Sequence, residues 1–398
     1  MERPNAVIEI TNSVIRLIIG YVVNDKPAII FTREVKNDGV IKNGEIVDFE
    51  ALVEILTNLK VISDNEAHVR ITLKEVTLLF PAIGFQVYKS EKSTGVVSQS
   101  SKIQQLDIQN AIALVQKDPI PAGSLTVDII PIRFLLDGNR TFSVPPINET
   151  SQSLMVSAFI HTLPKHIFES YVLAFEKVDI AIKRCFVNVY SLAELARSKQ
   201  NLPKNYILLD MGHGVTTLTI VGNNYPYNST HLNYGGLSLF ELISENFNVS
   251  LETAEELVIK YGVEERKSSF NPSIGESLPD EAGQTTCFTS KDLTALIKTF
   301  LSDYKLKLQT GFDALVQTYS EEVRNLPLVI TGGLSELKGM KEFISENFDN
   351  EAHYLASDVV GARSSRFNAC IGALLLSSHY RGSLSDQKAK VAEVNREE

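Results

Sequence analysis

The sequence predicts an α/β fold in which two related halves face a shared cleft. Three segments indicate this, residues 6–31, 206–225 and 327–335, because each places an apolar strand before a turn rich in glycine, hydroxyl or amide residues. The first two segments share the same order of strand, tight turn, strand and second turn. Two halves that each direct a carboxylate and a tight turn towards one cleft can clamp a triphosphate from both sides. The repetition therefore favours a duplicated nucleotide-binding fold.

The second segment shows the expected chemistry most clearly. Its strand, residues 207–209, runs into Asp210, and two spaced glycines, Gly212 and Gly214, follow. Because glycine has no Cβ, the turn can be tight and can bring backbone N–H groups close to an anion. Asp210 could hold a hydrated metal ion against the same phosphates. A plain hairpin explains this segment alone about equally well, so the nucleotide interpretation depends on the repeat.

The first and third segments supply that repeat. The first is predicted to contain strands 6–10, 14–23 and 28–31, separated by turns 11–13 and 24–27. Glu9 stands in it where Asp210 stands in the second segment. In the third, an apolar strand enters Gly332 and Gly333, and paired glycines allow a flat base or ribose to lie against the backbone.

Composition narrows the class of protein. A chain of 398 residues with 44% hydrophobic content can bury large cores and is expected to form two or more lobes. The net charge of −10, without a stripe of Lys and Arg, argues against a nucleic-acid-binding surface. Cys185, Cys287 and Cys370 lack CxxC spacing, which predicts neither a zinc site nor disulfides and suggests a reducing, cytosolic compartment. No leader pattern and no apolar run near ~20 residues is evident, so a soluble protein is expected.

The middle of the chain predicts an insertion in the first half. A polar stretch, residues 89–105, carries no strand or helix prediction, and an amphipathic helix is predicted over 106–116. Strands 125–136 and 153–160 are predicted on either side of a turn at 137–139. This pattern indicates a small subdomain, and such insertions are common sites of partner binding.

The second half contains the predicted helices. They span 237–247 and 251–261, the latter with Ser250 as N-cap and Gly262 just past its end. Residues 263–286 are predicted to form a mobile loop. A long helix is predicted from Ser290, with an apolar stripe that is expected to be core: Leu293, Leu296, Ile297, Phe300, Leu301, Tyr304 and Leu308.

Taken together, these motifs resemble the actin-like ATPase superfamily and, within it, the FtsA family of bacterial cell-division proteins. The resemblance covers nearly the whole chain and includes residues 39–48 (GVIKNGEIVD), 130–146, 233–236 (NYGG), 254–262 and 330–339. It implies a duplicated actin-like, ribonuclease H-like α/β fold, with two lobes around a nucleotide cleft and an FtsA-type inserted subdomain. The implied subdomains are 1A (1–82, 164–195 and 359–380), 1C (83–163), 2A (196–232 and 301–358) and 2B (233–300), followed by a flexible tail (381–398).

The resemblance also implies a set of ligand-binding residues for ATP and Mg²⁺. Asp210 would contact the metal, with Glu9 acting on it through water. The residues implied to bind the nucleotide are Glu9, Thr11, Asn12, Ser13, Arg16, Asp210, Gly212, His213, Gly214, Val215, Thr216, Gly235, Gly236, Glu255, Gly332, Gly333 and Leu334.

Several positions depart from the family pattern and predict weak or absent hydrolysis. The family has Asp-x-Gly-Thr/Ser at the first turn, whereas Glu9 and Thr11 here lengthen the carboxylate and add a Cβ near the expected γ-phosphate. Arg16 replaces a usual Lys, and Val258 replaces another. For His213 a surface turn position is favoured over a catalytic role, and no residue is an obvious base for an attacking water. The nucleotide is therefore expected to act as a structural ligand.

The implied function is a filament-forming scaffold that ties FtsZ to the cytoplasmic membrane at the division site. It would self-associate and bind the FtsZ C-terminal peptide, with Arg266 and Lys267 as candidate contacts unless they are merely solvated loop charges. Residues 381–398 offer little apolar area, so membrane association is expected to be indirect or to need a missing C-terminal helix. Two alternatives stay open: a PilM-type pilus assembly protein that binds a membrane partner's peptide, and a small-molecule kinase of the same superfamily.

Overall fold

The structure, a computed structural model, describes residues 4–37, 39–64, 69–263, 271–279 and 283–379. Among these residues, no helix combines the length and apolar character needed to cross a bilayer. The strands are β1 (Asn5–Ile10), β2 (Val14–Val23), β3 (Lys26–Lys36), β4 (Ile41–Lys42), β5 (Glu45–Ile46), β6 (Val61–Asp64), β7 (Val69–Thr72), β8 (Glu75–Phe80), β9 (Gln86–Gly95), β10 (Ser124–Leu136), β11 (Arg140–Phe142), β12 (Ser153–Pro164), β13 (Ala181–Val187), β14 (Tyr206–Met211), β15 (Thr216–Gly222), β16 (Tyr225–Leu232), β17 (Ser273–Glu276), β18 (Cys287–Thr289), β19 (Leu328–Thr331) and β20 (Ala352–Tyr354).

The α-helices alternate with these strands, as an α/β fold requires. They are α1 (Phe49–Lys60), α2 (Gln105–Gln116), α3 (Lys165–Lys177), α4 (Asn188–Arg197), α5 (Gly236–Phe247), α6 (Leu251–Lys260), α7 (Ser290–Thr318), α8 (Met340–Asn347) and α9 (Asn368–His379). Short 3₁₀ turns span Glu321–Asn325, Gly333–Glu336 and Ser365–Phe367.

The first half is built on a five-stranded sheet with the order β13-β8-β1-β2-β3. Strands β1 to β3 form an antiparallel meander, while β8 and β13 run parallel to β1. The apolar residues of β1 are buried on both faces, as sheets covered by helices require. The chain returns to this half at its end, where α9 packs across α4.

The second half repeats this plan. Strands β14 to β16 form the matching antiparallel meander, and β19 and β20 run parallel to β14 in the order β16-β15-β14-β19-β20. Its core is closed by α5 to α8, and Tyr304 and Phe300 on α7 are fully buried. Burying a large apolar side chain of this kind contributes roughly 1.5–3 kcal/mol. The two meanders therefore deliver two equivalent turns to the same cleft.

The inserted segment forms a sheet of β9, β10, β11 and β12 that carries α2 on one face. This sheet joins the second half's sheet through a single pairing between Gln86 of β9 and Asn228 of β16. Strand β9 occupies part of the polar stretch for which the sequence predicted no element. Several of its polar side chains are exposed, although Ser90 is buried, and its backbone pairs with the apolar β12, so the partner strand, and not local hydrophobicity, determines it.

Most of the predicted helices are confirmed within a residue or two of their ends. Ser250 caps α6 by accepting a hydrogen bond from the N–H of Thr253 at 3.1 Å, and Gly262 has the positive φ of +60° expected just past a helix. The predicted loop 263–286 differs, because its described part includes β17, which pairs with β18. Residues 264–270 of that loop lie outside the described residues.

Candidate functional site

A cavity of about 550 Å³ lies between the two halves, and the three predicted turns meet at it. This volume is within the range of small-molecule and cofactor sites. The predicted site residues that line it are Glu9, Thr11, Asn12, Ser13, Arg16, Asp210, Gly212, His213, Gly214, Val215, Gly236, Glu255, Gly332, Gly333 and Leu334. Residues far apart in the sequence thus converge on one crevice.

Two of the predicted site residues lie behind the cavity wall. Thr216 is fully buried; its hydroxyl donates to the carbonyl oxygen of Tyr234 at 2.8 Å and lies 2.7 Å from the Tyr304 hydroxyl. Gly235 packs against the back of the second turn, where an added Cβ would lie 2.6 Å from the carbonyl oxygens of Gly212 and His213. Both residues support the turn from behind.

The second turn, residues 212–215, presents backbone donors to the cavity. It closes with a 3.0 Å hydrogen bond from the N–H of Gly212 to the carbonyl of Val215. The carbonyls of Gly212 and His213 accept hydrogen bonds from the first N–H groups of α5 at 3.2 and 2.6 Å. Among the described residues, no hydrogen bond engages the N–H groups of His213, Gly214 or Val215. Successive free N–H groups in a turn form an anion-binding concavity.

The first turn, residues 11–14, has the same closing hydrogen bond, 3.0 Å from the N–H of Thr11 to the carbonyl of Val14. It is braced from outside by Asn37, whose Nδ2 donates to the Thr11 carbonyl at 2.7 Å. The Asn12 side chain accepts from the N–H of Gly44 at 3.0 Å and lies against Gly214 of the second turn. The two turns are therefore neighbours across the cleft.

The third turn, residues 332–335, is held by the start of α9, which belongs to the first half. Ser365 donates from Oγ to the Gly332 carbonyl at 2.9 Å, and its N–H donates to Glu336 at 2.6 Å. Gly332 has a φ of +91°, and a Cβ there would lie 2.6 Å from a carboxylate oxygen of Asp210. Next to it, Gly333 has open space on its Cβ side. Gly332 therefore allows close packing against Asp210, and Gly333 leaves space in the cavity.

Charged side chains cross the floor of the cavity in a chain. Arg16 lies 3.1 Å from Glu9 and 2.7 Å from Glu34, and Glu34 lies 3.3 Å from Arg366. Burial opposes the charge on Arg16, but its two carboxylate partners outweigh burial and raise its pKa. The cation nearest the first turn is thus already paired within the protein.

The electrostatics of Asp210 suit a cation ligand. Burial and, to a smaller extent, the Glu9 carboxylate across the cleft raise the pKa of Asp210 to about 7, against the opposing effect of Arg16. A bound cation would favour the ionised carboxylate. No cluster of three or more His, Cys, Asp or Glu suited to a metal exists in the described part of the chain. The residues therefore fit a metal held largely by water and phosphate oxygens.

Two polar atoms at the cavity lack partners within the described residues. They are Nδ1 of His213 and Oδ1 of Asn188. Burial lowers the pKa of His213, an effect that the carboxylate of Glu255 opposes. Buried polar atoms without partners are uncommon in folded proteins, so these two atoms indicate a ligand with donors and acceptors of its own.

The cavity is also lined by residues that the sequence did not reveal. They include Glu34 and Lys36 at the end of β3, Asn188 at the start of α4, Thr217, Phe240, Glu336, Lys338, and Ser365 and Arg366 before α9. Most lie at the ends of elements with no glycine pattern, so their position depends on sheet order alone. Arg266 and Lys267, the candidate peptide contacts, lie outside the described residues.

Comparisons with known proteins agree with this architecture. A family profile described as Cell division protein FtsA matches residues 207–372. The Cell division protein FtsA of Bacillus subtilis (strain 168) is 22% identical over 374 residues, which cover 92% of this chain and 82% of that protein.

Solved structures show the same fold. A PilM–PilN type IV pilus biogenesis complex matches with a TM-score of 0.58 and 16% identity, over 95% of this chain and 98% of that one. MreB5 of Spiroplasma citri bound to AMPPNP matches with a TM-score of 0.54 and 12% identity, over 97% and 99% of the two chains. The predicted actin-like α/β fold is confirmed.

Proposed function

We propose that this chain, which is 22% identical to the Cell division protein FtsA of Bacillus subtilis over 92% of its length, is an actin-like, nucleotide-binding scaffold protein of bacterial cell division. The observation that supports this most is the convergence of Glu9, Asp210 and the Gly332–Gly333 pair, from both halves, on one 550 Å³ cavity. Such a cavity between two lobes can couple a ligand to the angle between them.

We propose that the ligand is ATP with Mg²⁺. The free N–H groups of residues 213–215 suit phosphate oxygens, and Asp210 suits a hydrated cation. Gly333 offers open space for a flat ring, and Glu255, which also lines the cavity, could accept a hydrogen bond from a ribose hydroxyl. The structure of MreB5 from Spiroplasma citri, which has the same fold, is bound to AMPPNP, and this supports the proposal of a nucleotide.

The nucleotide is proposed to act as a structural ligand. When bound, it would lie in the cleft between the two halves, with its phosphate chain at the second turn. Glu9 is engaged by Arg16 at 3.1 Å, so it is poorly placed to orient an attacking water. In-line phosphoryl transfer needs a positioned water and strong charge neutralisation. We therefore expect slow or absent hydrolysis.

The proposed role is to polymerise and to bind the C-terminal peptide of FtsZ at the membrane. This role is transferred from the FtsA resemblance, and the second-half subdomain, residues 233–300, is the proposed peptide site. Membrane association is proposed to be indirect, through a partner protein. Electron microscopy of purified protein with ATP tests whether the protein polymerises. Filaments are expected, and uniformly monomeric particles at micromolar concentration would contradict the proposal.

The pilus and kinase alternatives rest on the shared fold. The likeness to PilM is 16% in sequence and carries no partner information. Affinity purification from the native host separates the three functions. Recovery of FtsZ supports the division role, a peptide of a pilus membrane protein supports the PilM type, and a small-molecule phosphotransferase activity without a protein partner supports the kinase.

A further inference from the structure

The two turns that face each other across the cleft differ in one respect that bears on anion binding. Both close with the same 3.0 Å hydrogen bond, from Thr11 to Val14 in the first and from Gly212 to Val215 in the second. Glu9 precedes the first turn, and Asp210 precedes the second turn at the equivalent position. Thr11 thus occupies in the first turn the place that Gly212 occupies in the second.

The Thr11 hydroxyl forms hydrogen bonds with two N–H groups and one carbonyl of its own turn. Its Oγ1 accepts hydrogen bonds from the N–H groups of Ser13 at 3.4 Å and Val14 at 3.1 Å, and it donates to the Val14 carbonyl at 2.8 Å. A hydroxyl has one proton to donate and two lone pairs to accept, so its capacity is filled. Local bonds of this kind compete with other partners for the same backbone groups.

The equivalent N–H groups of the second turn, those of Gly214 and Val215, have no such partner among the described residues. Gly212 has no side chain that could cap them. Among the described residues, an anion entering the cleft therefore meets three free N–H groups at the second turn, those of residues 213–215, but one at the first turn, that of Asn12. Displacing the Thr11 hydroxyl would give little gain, because the stronger phosphate acceptor would only replace the hydroxyl at these two N–H groups, and the hydroxyl would lose its bond to the Val14 carbonyl.

We propose that Thr11 is a specificity-determining residue whose hydroxyl substitutes for a phosphate oxygen and confines anion binding to the second turn. This inference rests on the proposed nucleotide site. The proposed base and ribose contacts, Gly333 and Glu255, belong to the second half, so a phosphate chain would extend from them towards the first turn. The terminal phosphate of ATP would then meet the first turn, where the N–H groups of Ser13 and Val14 already donate to the Thr11 hydroxyl. The cleft would therefore bind ATP and ADP with similar affinity.

Calorimetric titration of ATP and ADP into wild-type protein, Thr11→Ala and Thr11→Ser tests this. Wild type and Thr11→Ser, which keeps the hydroxyl, are expected to bind the two nucleotides within about threefold of each other. Thr11→Ala frees two donors and opens the space, so ATP is expected to bind about three- to tenfold more tightly while ADP is unchanged. The inference would be overturned if wild type bound ATP at least tenfold more tightly than ADP. It would also be overturned if Thr11→Ala bound each nucleotide with the same affinity as wild type.

Residue-resolved amide hydrogen exchange gives a second readout that needs no affinity change. The amides of Ser13 and Val14 are expected to exchange slowly without ligand and faster in Thr11→Ala. Added nucleotide is expected to slow exchange at residues 213–215 and to leave Ser13 and Val14 unchanged. If neither nucleotide binds, the proposed function fails, and the same exchange experiment with pyrophosphate then tests the difference between the two turns by itself. New protection at the first turn, or none at the second with any of these anions, would overturn the inference.

Discussion

Nη1 of Arg16 lies 3.1 Å from Oε2 of Glu9, and both side chains are largely buried, at 14% and 7% exposure. The pair joins β2 to β1 directly below the first turn, at the register position where the two strands face each other. It explains why a longer carboxylate than the aspartate of the second half is accommodated at residue 9, since the additional methylene allows the carboxylate to reach the guanidinium.

Arg16→Ala is expected to destabilise the protein strongly, because it leaves Glu9 and Glu34 without their shared cation. Removing one partner of a buried ion pair costs about 3–5 kcal/mol. Urea denaturation of both proteins measures the difference. Arg324→Ala is the matched control, since that ion-paired arginine is half-exposed and its loss should have a much smaller effect. Equal effects of the two substitutions would show that the Glu9 pair is not buried as described.

Asp210→Asn is expected to stabilise the ligand-free protein more at pH 8 than at pH 5. The pKa of Asp210 is raised to about 7 in the folded state, mainly by burial, from an ordinary value of 3.8. The folded state therefore holds this proton more tightly, and its contribution to stability is lost as pH rises through about 7. Melting temperatures at both pH values check this, and a gain that is larger at pH 5 would contradict the assignment.

His161 gives the opposite pH dependence. Its ring lies edge-on between Phe85 and Tyr190, with centroids 5.0 and 5.1 Å away, and burial lowers its pKa to about 3. Stability is expected to fall as pH drops below 6.5, because unfolding lets the imidazole take up a proton. His161→Phe should therefore gain more melting temperature at pH 5 than at pH 7.5. Equal gains at the two pH values would contradict this, and substituting the exposed His231 by Gln controls for the general effect of removing a histidine.

Gly372→Ala is expected to prevent stable folding of the first half. The residue lies where α9 crosses α4, and a Cβ would collide with the carbonyl oxygen of Ser191. Overpacking typically costs about 1–3 kcal/mol, and more where, as here, the added methyl group meets backbone that cannot move unless the two helices separate. Gly95→Ala, where an added Cβ meets no neighbour within 4 Å, is the control and should cost about 0.5 kcal/mol or less. Chemical denaturation measures the stability of both variants. Similar stabilities would contradict the close contact between α9 and α4.

The parts of the site that could be predicted from the sequence are those with a local signal. Gly212, Gly214 and the Gly332–Gly333 pair follow apolar strands, and a strand followed by a glycine turn is specified within a few residues. The apolar stripe of α7 is likewise a local pattern. Duplicated order along the chain then indicated that these turns belong to one cleft.

The remainder depends on tertiary contacts that no short segment encodes. Ser365 and Glu336 meet because α9 returns to the first half after the second half is complete. The inward turn of the Thr11 hydroxyl is a choice of rotamer that a threonine in a list of site residues does not reveal. Strand β9 is polar in sequence and becomes a strand only because β12 pairs with it.

The central claim, that the three turns form one nucleotide site, is tested most directly by calorimetric titration of ATP and Mg²⁺ into wild type and Gly333→Leu. Gly333 faces open space in the cavity, so leucine should leave the ligand-free melting temperature unchanged while filling the proposed ring site. We predict one nucleotide per chain for wild type and at least about tenfold weaker binding for the variant. Absence of binding to wild type, or equal affinity in a folded variant, would contradict the claim.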